Sequence, residues 1–167
     1  MKFLPVENIT YKTRLREEEI VKRLSGIIEP EKVVRMNIFS SSPTKAYQGQ
    51  INGLTFDITR IIRYRNSFLP MIHGTIERDF DGLKIKVKMR LHTFVIVFLC
   101  VWCSGVGIVC IASLSQAFDG SAFDPNMLIP FGMLLFGYLM AIGGFKFESY
   151  KSKKDLQAIF EADIIEA

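Results

Sequence analysis

No lysine or arginine occurs between Arg90 and Lys146, and the only acids in that stretch are Asp119 and Asp124. So long a gap in charge argues against a wholly soluble globular protein and against a disordered one. Cysteine is scarce, with three residues in 167, which excludes a disulfide-stapled scaffold. Histidine is scarcer still: His73 and His92 are the only two. No HExxH, no G-x-S-x-G and no phosphate-binding glycine loop is present, and no nucleophile–base pairing is readable around either histidine. Catalytic, cofactor-binding and metal-binding residues are therefore expected to be absent, and the chain is read as non-enzymatic. The start, MKFLPVENITYK, lacks the apolar core of a signal peptide, and neither end carries a lipidation box.

What fills the charge-free stretch is apolar. Thr93 to Ser115 gives 23 uncharged residues, about 34 Å of helix at about 1.5 Å per residue. Asn126 to Phe145 gives 20 more, about 30 Å, with Pro130 in the first turn where its missing N–H is harmless. Each run matches a hydrocarbon core of about 30 Å, so residues 92–146 are expected to form a transmembrane helical hairpin with a short loop at 116–125. Residues 1–90 carry 17 basic and 10 acidic side chains, the link carries no base, and Lys146, Lys151, Lys153 and Lys154 follow the second run. By the positive-inside rule both termini are cytoplasmic at the plasma (inner) membrane, and Asn8-Ile-Thr is not a glycosylation site. The overall +4 thus resolves into +7, −2 and −1 along the chain.

The flanks read as an α+β head over residues 1–91 and an amphipathic tail over 147–167. Ile9–Leu15 suits a short strand, while Val33–Pro43 is ambiguous between strand and loop. Ile20, Leu24, Ile27 and Ile28 fall on helical spacing behind Glu17, Glu18 and Glu19, with Pro30 as the stop. Beyond them lies an antiparallel meander. Asn52-Gly53 is a hairpin signal pairing Ile51 with Leu54, Gly49 with Phe56 and Tyr47 with Ile58. A four-residue loop, Asp79 to Gly82, pairs Ile76 with Ile85, Gly74 with Val87 and Ile72 with Met89. Each register puts the apolar residues on one face, which a one-residue slip would destroy. The helix would cover that face. Ser149 to Ala167 would form a separate short helix using Leu156, Ile159, Phe160 and Ile164, free to dock on the head, on the interface or on a partner. Its acids Glu161, Asp163 and Glu166 could meet the basic head.

Two groups of residues stand out as surfaces. Lys84, Lys86, Lys88 and Arg90 alternate with apolar residues in one strand, and with Arg60, Arg63 and Arg65 they would form a cationic surface near the bilayer. That surface could take anionic lipid head groups or a partner protein; nucleic acid is not needed to explain it. Cys103 and Gly107, together with Gly137, Gly143 and Gly144, are small residues suited to close helix approach, either within the hairpin, to a second copy or to a larger membrane protein. Cys100 and Cys103 form a C-x-x-C without a second ligand pair, so with Cys110 they read as packing residues rather than as a zinc site.

The run Arg60-Ile-Ile-Arg-Tyr-Arg-Asn-Ser-Phe-Leu-Pro70, followed by Gly74 and by Met89-Arg-Leu-His92, resembles small bacterial two-helix membrane proteins of unknown function over most of residues 45–115. That resemblance implies the two-helix architecture and brings no site residues with it. A looser resemblance is to membrane-linked pleckstrin-homology-like domains, which are antiparallel and end with a helix; here the expected helix precedes the meander.

Overall fold

The computed structural model describes residues 4–29, 45–80, 82–118 and 125–166. Their order is β1 (Val6–Thr13), α1 (Glu17–Ile27), β2 (Ile28–Glu29), β3 (Tyr47–Asn52), β4 (Thr55–Arg60), β5 (Pro70–Asp79), β6 (Gly82–Leu91), α2 (Thr93–Phe118), a short 3-10 turn (Pro125–Leu128), α3 (Ile129–Phe160) and β7 (Asp163–Glu166). The strands form one mixed sheet in the order β2-β3-β4-β5-β6-β1-β7, with β2 parallel to β3 and all other pairs antiparallel. The fold is α+β, with two helices long and apolar enough to cross a membrane.

The second hairpin has the expected register: Ile72, Gly74 and Ile76 face Met89, Val87 and Ile85, though Asp79 already pairs with Gly82. The first hairpin turns one residue later than expected. Gly53 and Leu54 form its turn, so Asn52 pairs with Thr55, Ile51 with Phe56 and Gly49 with Ile58. Gly53 takes a φ of +60°, the left-handed geometry that such a turn requires. The later turn gives one residue to β3 and takes one from β4, so each partner shifts by two residues and every side chain stays on its expected face. β1 starts and ends earlier than the Ile9–Leu15 expectation. The helical run closes at Ile27, because Ile28 is already extended (φ −97°, ψ 124°) and opens β2. Pro30 and Val33–Pro43 lie outside the described residues.

The sheet's apolar face is covered by two helices rather than one. Ile20 and Leu24 of α1 are fully buried on it. So are Phe145, Leu156 and Phe160, which belong to α3. The expected separate tail helix does not exist. One 32-residue helix runs unbroken from the apolar stretch onto the sheet, because no glycine or proline interrupts the chain after Gly144. Its inward residues form a single stripe: Leu134, Gly137, Ala141, Phe145, Glu148, Ser152, Leu156 and Phe160 recur every three or four positions. The first half of that stripe faces α2 and the second half faces the sheet. Phe160 packs edge-on against Tyr11, ring centroids 5.8 Å apart, and against Phe56 at 6.1 Å. The chain then turns through Glu161 (φ 44°), and β7 adds to β1 at Tyr11 and Lys12.

On the sheet α3 runs alongside β1. Glu7 receives hydrogen bonds from Lys146 and Ser149, the Tyr11 hydroxyl donates to the Lys153 carbonyl, and Thr13 Oγ1 donates to the Phe160 carbonyl. Glu7 to Thr13 covers about 20 Å of strand, and Lys146 to Phe160 about 21 Å of helix. The two lengths match, so strand and helix axes lie close to parallel. α2 is joined just as tightly, with only His92 between it and β6. Beyond the sheet, both helices leave bulky apolar side chains in the open, including Phe98, Val101, Ile108, Ile111, Leu135, Phe136 and Leu139. Only 6% of the most apolar window of α2 is buried, which separates it from the core helix of a soluble protein.

Candidate functional site

β6 has the two-sided character expected of it. Leu83, Ile85, Val87, Met89 and Leu91 are buried, while Lys86, Lys88 and Arg90 are exposed and Lys84 is half-buried. Among the described residues no helix covers this second face. It is polar across the sheet, with Gln50, Asp57, His73, Thr75 and Glu77 on β3, β4 and β5, and Asn8 and Thr10 on β1. Two ion pairs and a hydrogen-bonding contact tie parts of it down: Lys86 to Glu77 at 2.7 Å, Lys12 to Asp79 at 4.0 Å, and His73 Nδ1 to Asp57 Oδ1 at 2.7 Å. Lys84, Lys88 and Arg90 have no ion-pair partner among the described residues. The column from Lys84 to Arg90 spans six residue steps, or about 20 Å.

The arginines expected to extend this surface do not join it. Arg60 shares the parity of Phe56 and Ile58, so it points to the opposite, helix-covered face. Its Nη2 lies 3.2 Å from Asp155, and its Nη1 lies 3.8 Å from Glu148, whose side chain is fully buried. Arg63 and Arg65 sit in the exposed loop between β4 and β5. The single cationic surface expected from sequence is thus three separate places, because a strand alternates its side chains and Arg60 falls on the wrong beat.

Around Arg60 is a polar seam that sequence reasoning missed. Glu148 accepts a hydrogen bond from the Tyr64 hydroxyl and faces Lys151 Nζ at 3.6 Å. The Tyr47 hydroxyl donates to Asp155 at 3.2 Å. Arg60 Nη1, Glu148 Oε2 and Ser152 Oγ are buried without hydrogen-bond partners. Burial first, and then the neighbouring Asp155, push the Tyr47 phenol well above its usual range. Burial does the same to Tyr11, and the bond to Glu148 raises Tyr64. The signal was present, since Phe145, Ser149, Ser152, Leu156 and Phe160 carry the buried period straight past the end of the apolar run.

A second polar contact sits where the apolar half of α3 ends. Burial raises the proton affinity of Glu7, but hydrogen bonds from Lys146 and Ser149 outweigh it and hold the carboxyl below its ordinary 4.5. A depressed carboxylate contributes stability above its unfolded value, and that contribution is lost as pH falls through the folded value. Between about pH 5 and pH 3 the parent is therefore expected to lose more thermal stability than Glu7→Gln. Melting curves across that range check this, and parallel pH profiles for the two proteins would overturn it.

The small residues divide as well. Gly137 lets the two helices close: a Cβ there would lie 2.5 Å from the Trp102 ring. Gly144 receives the β4–β5 loop. A Cβ would meet Phe68 at 3.0 Å, and Asn66 Nδ2 donates to the Gly144 carbonyl at 3.2 Å. Gly107 and Gly143 face open space, and Cys103 is exposed, so these three do not pack the hairpin. Cys110 is buried, whereas Cys100 is exposed. Of the tail acids, Glu161 pairs with Arg23 at 2.8 Å and Asp163 stands opposite Lys12 in the sheet. Among the described residues no three His, Cys, Asp or Glu side chains group as a metal site. No protein-family model, no curated protein and no solved structure matches the chain.

Proposed function

We propose that the chain is a non-enzymatic integral membrane protein that fixes a β-rich module at the cytoplasmic leaflet and binds or regulates a partner protein through the open face of its sheet. The observation that carries this reading is α3, which is at once a helix of spanning length and part of the head's core. A domain held that way cannot tumble, so its open face is presented at a constant height and direction. The pairing of β1 with β7 supports the two termini lying on one side of the hairpin, in keeping with the charge asymmetry of the flanks. Lipid is a poorer occupant of the open face. The head-group layer is about 5–8 Å deep, while the β6 column climbs about 20 Å along a strand nearly parallel to α3. Only its Arg90 end lies within reach of lipid.

A photo-crosslinking residue at Thr75 or Lys86 in intact cells tests the partner. A discrete adduct is expected that disappears when Lys84 and Lys88 are both changed to Glu. No adduct, or the same adduct from a crosslinker at Lys22 on the outer side of α1, would refute the reading.

A further inference from the structure

Lys151 and Lys154 do not stretch into solvent. Each folds back one helical turn, with Lys151 Nζ 3.9 Å from the centre of the Phe147 ring and Lys154 Nζ 4.7 Å from the centre of the Tyr150 ring. These four residues stand at i, i+4, i+3 and i+7 from Phe147, on the side of α3 turned away from the sheet, and both aromatic rings are mostly exposed. Tyr64 closes the group from the β4–β5 loop, its ring 5.7 Å from Lys151 Nζ. Arg63 and Arg65, both exposed, flank it in the chain.

Height decides what such a group can touch. Phe145 is the last residue of the uncharged run. Counting about 1.5 Å per residue from it, Phe147 stands about 3 Å beyond and Tyr150 about 8 Å beyond. The backbones of Lys151 and Lys154 stand higher, at about 9 and 14 Å, but the fold-back lowers both ammonium groups to the level of the rings beneath them. That level is the head-group layer, about 5–8 Å deep. Aromatic residues with an apolar body and a polar edge are favoured at this depth. Of the nearby acids, Glu148 is buried and shared between Arg60 and Lys151, whose Nζ lies 3.6 Å away, and Asp155 is held by Arg60 and Tyr47; Lys154 has no acidic partner among the described residues, so the outward charge rests mainly on it and on the exposed Arg63 and Arg65.

We infer that this flank of α3, and not the basic strand of the sheet, is a binding site for the phosphate of an anionic phospholipid. Lys151 and Lys154 supply the charge, with Phe147 and Tyr150 bedding the upper acyl and glycerol region. The site rests on the membrane-spanning reading of α2 and α3, and the two can fail separately.

The test uses the full chain, purified in mild detergent and offered equal amounts of phosphatidylglycerol and phosphatidylcholine, with retained lipid counted by native mass spectrometry. Phosphatidylglycerol should be enriched on the order of tenfold, since each basic group near the surface contributes appreciably. Lys151→Gln with Lys154→Gln should bring the ratio back toward one. Lys84→Gln with Lys86→Gln and Lys88→Gln should leave it unchanged. No enrichment in the parent, enrichment that survives the α3 pair, or enrichment lost with the sheet lysines instead would each overturn the site. Alkaline carbonate extraction of membranes tests the reading beneath it. The chain is expected in the pellet. Release into the supernatant would sink the spans and the site together, whereas a pelleted chain without enrichment sinks the site alone. All substituted residues are at least partly exposed, and matched melting curves will show that the variants fold.

Discussion

One alanine inserted after Lys146 is expected to dismantle the head. The insertion turns everything beyond it by about 100° and lifts it by about 1.5 Å. Glu148, Ser152, Leu156 and Phe160 would then leave the sheet while the apolar half of α3 stays against α2. Leu156 and Phe160 are fully buried, and losing such residues from a core costs about 2–5 kcal/mol each. Together that approaches the whole stability of an ordinary domain, about 5–15 kcal/mol. The expected readout is a collapse of the cooperative melt and rapid proteolysis after the lysines at 151, 153 and 154. An inserted chain that melts within about 2 °C of the parent, with its tail still protected, would mean that α3 does not act as one rod across Lys146.

The second large effect concerns the polar seam. Arg60→Met removes the cation facing Glu148 and Asp155, leaving Glu148 buried with only Lys151 and the Tyr64 hydroxyl nearby. Breaking one side of a buried pair costs about 3–5 kcal/mol, and the lower end applies here because Lys151 remains. For a chain of this length about 3 kcal/mol lowers the melting temperature by about 6–12 °C. Adding Glu148→Leu to Arg60→Met should recover most of the loss, because an apolar pair of similar volume suits the space under the sheet. Asp155 is part-exposed and can return to water, so it adds little. If the single variant loses less than about 1 kcal/mol, or the double variant is worse than the single, the seam is not an electrostatic contact of the kind described.

Much of this architecture can be read from residue order because period-2 alternation is so clean in β5 and β6. Ile72, Gly74 and Ile76 against Ile85, Val87 and Met89 leave one register that buries every apolar side chain. The Asn52-Gly53 turn was harder, since Gly53 can serve either position of a two-residue turn and both alternatives keep the same faces. The two apolar helices follow from length and the missing charges alone. The fate of the tail did not. Lys146 marks the end of an uncharged run, and charge is a sound guide to where a helix meets water, but it says nothing about where the helix stops. Helical spacing from Phe145 to Phe160 did say so, at the cost of accepting Glu148 and Ser152 as buried. Arg60 shows a related limit: proximity in sequence groups it with Arg63 and Arg65, whereas its parity with Phe56 and Ile58 decides its face. Pairing between elements far apart in the chain, such as Glu7 with Lys146 or Arg23 with Glu161, leaves no local trace to follow.

The order in which the chain is made gives α3 a further significance. The sheet's core is incomplete until Phe145, Leu156 and Phe160 have arrived, and β1 gains its outer neighbour only with β7. Some 70 residues separate the end of β6 from Phe160, so at about 5–20 residues per second a nascent head waits several seconds with its apolar groove open. Throughout that interval only α1, of the two helices that cover the sheet, is available to it. Completion of the head therefore depends on α3: a chain in which α3 does not reach the sheet leaves Tyr11, Phe56 and their core neighbours without the cover of Phe145, Leu156 and Phe160.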